Sequence, residues 1–256
     1  MFKLASDLYY RENFHSDIIK AFLDPNEKHK GGNLYLFSFI DFINECFCSK
    51  IFISKQNYTN AIVVKEAGRI DILIKSEISK HCIIIENKLY NANDRERQLP
   101  KYYDWMTQQG FTVDAIVYIP LNENKIPDKS TWIGDNEKHV DGLLCIVPGY
   151  SRRRFNLVEN WLKPYTMLSS DIDCISILRQ YGKLIKTLSN NNMDNMLLEK
   201  FYNSLLEDDN YKVAISVKEM LQQLCTWLIG FVKNLKRMKV TIRYRNAKTI
   251  SVVYFL

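Results

Sequence analysis

The chain has 256 residues, 46% of them apolar and 25% charged, with a formal net charge of +6, a balance that excludes a disordered or low-complexity protein. Its length is enough to bury a real core, as one large domain or as a core with an appended lobe. No apolar run approaches the ~20 residues of a membrane span, no basic-then-apolar leader opens the sequence, and six scattered cysteines without a C-x-x-C pair read as reduced residues of a cytoplasmic protein.

In chain order, apolar spacing predicts a first helix over Leu4 to Phe22, stopped by Asp24-Pro25. Glu12 and His15 share its stripe with Ile19 and Phe22, so two polar groups sit where apolar ones belong. A mutual hydrogen bond is one explanation for them. A second helix is expected over Leu34 to Phe47 and a first strand over Ala61 to Glu66, followed by a tight turn at Ala67-Gly68. In the next strand, Arg69 to Lys75, Ile70, Ile72 and Ile74 line one face and Asp71 projects from the other.

The third strand, His81 to Lys88, is a β-branched run of the kind buried on both faces, yet it continues straight into Glu86 and Lys88. These two residues point to the same side. If the second and third strands pair, Asp71, Glu86 and Lys88 converge on one spot. Buried carboxylates are costly unless paired or bound to a metal, and Mg²⁺ is commonly held by one or two of them. Lys88 beside such an ion could orient or deprotonate water, or offset charge on a phosphate. A structural ion pair at a strand end is the plainer alternative.

Pro100 cannot sit deep inside a helix, so the following helix either begins near Gln98 or kinks. The first option leaves Arg95 and Arg97 in a loop beside the site, where arginines suit phosphate contacts; pairing with their neighbours Asp94 and Glu96 is the alternative. Asp114 to Pro120 reads as a fourth strand, reached by a parallel crossover. Leu121 to Asp141 is expected to be looped and Leu144 to Val147 to be a further strand. Helical spacing then recurs over Phe155–Lys163, Ile172–Leu188, Met193–Leu206 and Tyr211–Leu235. Met220 to Leu256 holds seven Lys and Arg and no acid, a bias that fits a polyanion partner or, equally, a solvated face that balances acidic neighbours in the fold. It ends in an expected hairpin with Arg243 and Arg245 on one face. The apolar terminal strand is an edge that invites pairing with a second copy, so a homodimer is a rival use of the hairpin.

The blocks GRIDILI, IIIENK and QLPKYYDW, in that order, resemble the PD-(D/E)xK nuclease superfamily, in the branch with GRiDi, IENK and QL-x-x-Y blocks. Ile70-Asp71 stands where the superfamily's Pro-Asp letters would be. The resemblance implies an α/β, restriction-endonuclease-like core of helix, three-stranded meander, helix and strand. With it come a core over residues 1–150 and a mostly helical extension with a basic hairpin over 151–256. It further implies Mg²⁺- or Mn²⁺-dependent cleavage of phosphodiester bonds, on DNA with RNA also open. On the matching positions, Asp71 and Glu86 would hold the metal with the backbone carbonyl of Asn87. Lys88 would be the catalytic lysine, Gln98 would sit near the site, and Glu12 would join it from the first helix. A nuclease-fold protein that binds nucleic acid without cutting it is the alternative function.

Overall fold

A computed structural model describes residues 11–89, 93–132, 137–166 and 169–206, with short pieces at 219–220, 222–224, 226, 241–242 and 250–251 (backbone alone over 191–206 and in the last two pieces). The chain divides into two compact units, Met1–Asn192 and Met193–Leu256.

The first unit is built on a five-stranded sheet ordered β1-β2-β3-β4-β5: β1 (Ile62–Ala67), β2 (Ile70–Ser76), β3 (His81–Lys88), β4 (Thr112–Pro120) and β5 (Leu144–Ile146). β1, β2 and β3 form an antiparallel meander, while β4 and β5 run parallel to β3. The parallel step from β3 to β4 is made through α3 (Gln98–Gln108), as a crossover requires. Helix α1 (Glu12–Leu23) and helix α2 (Leu34–Cys46) pack on one sheet face, against Ile72, Ile74, Ile83 and Ile85. On the other face α3 covers Leu73, Ile84, Ile116 and Tyr118 with Leu99, Tyr102 and Met106. The isoleucine run is therefore covered on both sides, which is why it shows no alternation. Each buried isoleucine contributes roughly 1.5–3 kcal/mol, enough in sum to carry a charged strand end into the interior.

The helix α1 ends where the Asp24 amide donates to the Lys20 carbonyl, just before Pro25. Its expected first turns, up to residue 10, lie outside the described residues. Helix α3 begins at Gln98, so Pro100 falls in its first turn and no kink is needed. The polar stretch expected to be looped contains one short helix, α4 (Glu137–Leu143), anchored by the fully buried Val140.

The first unit extends past residue 150, where the core is expected to end. A π-turn at Val158–Leu162 runs into the short helix α5 (Lys163–Tyr165), and Trp161 packs edge-on against Phe39 of α2. Leu178, Tyr181 and Ile185 of α6 (Ile172–Leu206) join the same core. Helix α6 is continuous for 35 residues, although Ser189 to Asn192 reads as a polar break between two helices. Asparagine lowers helix propensity by less than ~1 kcal/mol, too little to interrupt a long helix. In the second unit, Thr241–Ile242 (β6) pairs antiparallel with Ile250–Ser251 (β7). Arg243 and Arg245 lie outside the described residues, as does most of the expected helix over Tyr211–Leu235. No helix among the described residues is long and apolar enough to cross a membrane.

The β1–β2 turn is two residues long, with Gly68 at φ +59° and Arg69 at φ +71°. This mirror-image turn matches the twist of a hairpin and needs positive φ at both positions. Gly68 also lies flat against the Trp105 indole: a Cβ there would come within 2.6 Å of Trp105 Cε3. Gly68→Ala is therefore expected to cost about 2 kcal/mol, from backbone strain and collision together. An unchanged urea midpoint would contradict this packing.

Candidate active site

The site forms where β2 and β3 emerge from beneath α3. The last residues paired between these strands are Ile72 and Ile85, so Asp71 and Glu86 face each other one step further on. Lys88 Nζ lies 2.7 Å from Glu86 Oε1. Glu86 is 1% exposed and Lys88 4%, so both ions are carried into the interior. Asp71 is fixed by its own neighbour strand: the Asn87 amide donates to Asp71 Oδ2 at 2.8 Å.

Asn87 points to the opposite face, where Nδ2 donates to the Glu12 carbonyl and to Ser16 Oγ, each at 2.9 Å. The first turn of α1 is thus tied to the strand that bears the site. The Glu12 side chain acts electrostatically on both Glu86 and Lys88. His15, fully buried on α1, meets the Tyr181 hydroxyl of α6 at 3.2 Å and belongs to the core. Glu66, at φ +57°, is exposed, and its charge acts on Asp71.

Gln98 closes the other side. Its Nε2 donates to Glu86 Oε1 and to the Tyr102 hydroxyl, both at 2.8 Å, and its Oε1 accepts from the Arg95 amide at 3.2 Å. Tyr102 in turn donates to the Arg69 carbonyl at 2.6 Å. Glu86 Oε1 is thereby fully used, while the buried Glu86 Oε2 has no hydrogen-bond partner among the described residues. Arg95 is exposed and its charge reaches Asp71. Arg97 does not join them. It occupies a left-handed position before α3, and its guanidinium lies 4.0 Å from Asp104 further along that helix.

Two participants were not legible in the sequence. Asp94 does not pair with its arginine neighbours; it accepts from the Tyr118 hydroxyl and from the Asp128 amide, both at 2.9 Å. This fastens the loop after β4 to the loop after β3. Half-buried Lys125, carried on that loop, interacts electrostatically with Asp94, Lys88, Glu12 and Glu86. A lysine in a polar, aperiodic stretch gives no sign of where it will be placed.

A protein-family model of the PD-(D/E)XK nuclease superfamily matches residues 1–203. The chain belongs to the PD-(D/E)XK nuclease superfamily. No curated protein and no solved structure matches it. The five-stranded mixed sheet with helices on both faces is the restriction-endonuclease-like fold that the sequence blocks imply. The Asp71, Glu86 and Lys88 of the GRIDILI and IIIENK blocks stand together at one end of this PD-(D/E)XK sheet.

The electrostatics of the site are those of too much negative charge in too dry a place. Burial pushes the Glu86 carboxyl up to about 8, and the Asp71 charge adds to the effect. Burial likewise raises Asp71, against the Asn87 amide and the Lys88 charge, which hold it down. For Lys88 burial acts downward, but the charge and hydrogen bond of Glu86 outweigh it and the net shift is upward. Lys88 therefore remains an ammonium near neutral pH. A carboxyl whose folded pKa lies above its unfolded value favours the fold fully below the unfolded pKa and loses that contribution as pH rises through the folded one. Stability of the metal-free protein is expected to fall between pH 4.5 and about 8, because that is the span of the Glu86 shift. The Lys88 shift acts only above its ordinary 10.5 and leaves this window alone. Glu86→Gln should flatten the fall. Urea midpoints that do not change across this range in the wild type would contradict the assigned burial of charge.

Proposed function

We propose that the chain hydrolyses phosphodiester bonds of DNA with a bound Mg²⁺ or Mn²⁺ ion. The observation that carries this reading is the buried Glu86 with one oxygen held by Lys88 and Gln98 and the other left without a partner. A buried, unsatisfied carboxylate oxygen beside a second carboxylate is costly by itself, and a hard divalent cation removes that cost. The donor set fits: Asp71, Glu86 and the Asn87 carbonyl are all oxygen ligands, the kind that Mg²⁺ and Mn²⁺ take. Among the described residues no group of three or more His, Cys, Asp and Glu is placed to hold an ion alone. Two carboxylates and one carbonyl would leave positions for water and substrate, which Mg²⁺ prefers to keep. When bound, the ion supplies Lewis acidity toward phosphate oxygen and water.

The protein's own residues do the rest. The Lys88 ammonium, held in place by Glu86, offers its remaining hydrogens to water or to a phosphate oxygen. In the metal-free protein Lys88 is an ammonium, and as such it orients water and offsets charge on the phosphate. Gln98 keeps Glu86 in one rotamer, and the Asn87 amide does the same for Asp71. Arg95 and Lys125 add positive charge at the rim for the polyanion. A catalytically silent binder would have no use for two carboxylates beneath a phosphate site, since they repel the ligand.

The test is cleavage of linear, circular and single-stranded DNA and of RNA, each with Mg²⁺, Mn²⁺ or EDTA, alongside calorimetric titration with Mn²⁺. Asp71→Ala and Glu86→Ala should lose metal affinity and cleavage together. Lys88→Ala should keep its metal affinity and lose roughly 10²–10³-fold in rate. Unchanged Mn²⁺ affinity in both carboxylate variants would remove the basis of the reading.

A further inference from the structure

A groove of about 270 Å³ opens beside the site, between the β1–β2 turn and α3. Gln98, Lys101, Tyr102 and Trp105 lie at helix spacing on the one face of α3 that lines it. Arg69 enters from the turn and Arg95 from the loop before α3. Three cations thus face one cleft against a single acid, Glu96, and none of the three is in an ion pair among the described residues. Like charges gathered this way repel one another unless an anion joins them. The half-buried Trp105 offers the cleft an aromatic surface, while Gly68 covers part of the indole from the turn side.

The groove is also rigidly coupled to the candidate active site. Gln98 and Tyr102 are common to both, so the wall that orients Glu86 is the wall of the cleft. Arg69 is held at φ +71° with its carbonyl bound by the Tyr102 hydroxyl. A non-glycine residue in that region is strained, and such strain persists where the surroundings over-determine it. Here the Tyr102 hydrogen bond sets the position from which the Arg69 side chain enters the groove.

We propose that this groove is a subsite for one unpaired nucleotide next to the phosphate that is cut. Arg69, Arg95 and Lys101 take its phosphate, and Trp105 lies against its base. The proposal rests on the nuclease reading and deepens it by naming the substrate class. Arginine forks match phosphate oxygens, and an aromatic ring accepts any base by stacking. Stacking on the Trp105 ring needs a base that has left its own stack, which a closed duplex does not offer. Single strands, overhangs and frayed ends are therefore the favoured substrates over closed duplex.

The experiment is binding of a short, labelled single-stranded DNA and of its duplex by the full chain in EDTA, with cleavage measured in parallel. Arg69→Gln/Lys101→Gln should weaken the single strand about tenfold or more and flatten its salt slope by roughly 0.7 per lost phosphate contact. Mn²⁺ affinity should be unchanged in that variant. Lys55→Gln/Lys80→Gln removes the same charge from exposed lysines engaged with Asp41 and Glu77, and should bind as the wild type does. Trp105→Leu should weaken the single strand and Trp105→Tyr restore it, with urea midpoints confirming that both variants fold. If the Arg69/Lys101 variant binds the single strand as tightly as the wild type does, the subsite is overturned even where the wild type cuts DNA. If the predicted losses occur but the wild type cuts nothing, the groove stands as a binding site for an unpaired nucleotide and the nuclease reading falls.

Discussion

Glu86 and Lys88 are an ionisable pair that a hydrophobic strand draws into the interior, and the surrounding structure answers that demand. Burying an ion costs several kcal/mol even after relaxation, and a salt bridge in a dry site only partly offsets it. The pair also has Asp71 opposite it, which leaves the cluster with an excess of negative charge. Isoleucines at Ile72, Ile74, Ile83, Ile84 and Ile85 make this tolerable, because none of them is exposed. A one-residue slip of β3 would turn Glu86 and Lys88 to the opposite sheet face, away from Asp71.

The polar connections around the cluster share one logic: each fastens two elements together beside the site. Asn87 ties the strand to α1 on one face while its amide holds Asp71 on the other. Gln98 and Tyr102 tie α3 to Glu86 and to the β1–β2 turn. Asp94 ties the loops after β3 and β4 together. Rigid support of this kind is what a site needs if its charges are to be placed before the substrate arrives. It leaves Glu86 Oε2 and the Lys88 ammonium as the groups with capacity to spare.

Sequence patterns made the heart of this arrangement readable because strands have a strict period of two. Alternation placed Asp71 opposite its isoleucine neighbours and put Glu86 and Lys88 on one side, and the register of β2 on β3 brings the three together. The missing amide hydrogen of Pro100 limited where α3 could begin, and Gln98 is that start. What could not be read came from contacts with no local periodicity. Arg97 sits beside Arg95 in sequence, yet a left-handed backbone at that residue turns it toward Asp104. Asp94 and Lys125 lie in loops, where side-chain direction is set by tertiary hydrogen bonds. Trp161 and Tyr181 joined the core from beyond residue 150, because an amphipathic helix shows which face is apolar and not which surface it covers.

The central claim is that the buried negative charge of Asp71 and Glu86 is a cation site. Anomalous X-ray scattering from crystals soaked in Mn²⁺ tests it most directly. The expected result is a peak between Asp71 and Glu86, with Glu86 Oε2 and an oxygen of Asp71 as ligands. A peak held by other side chains, or none at concentrations that support cleavage, would contradict it and leave the cluster as a structural ion pair.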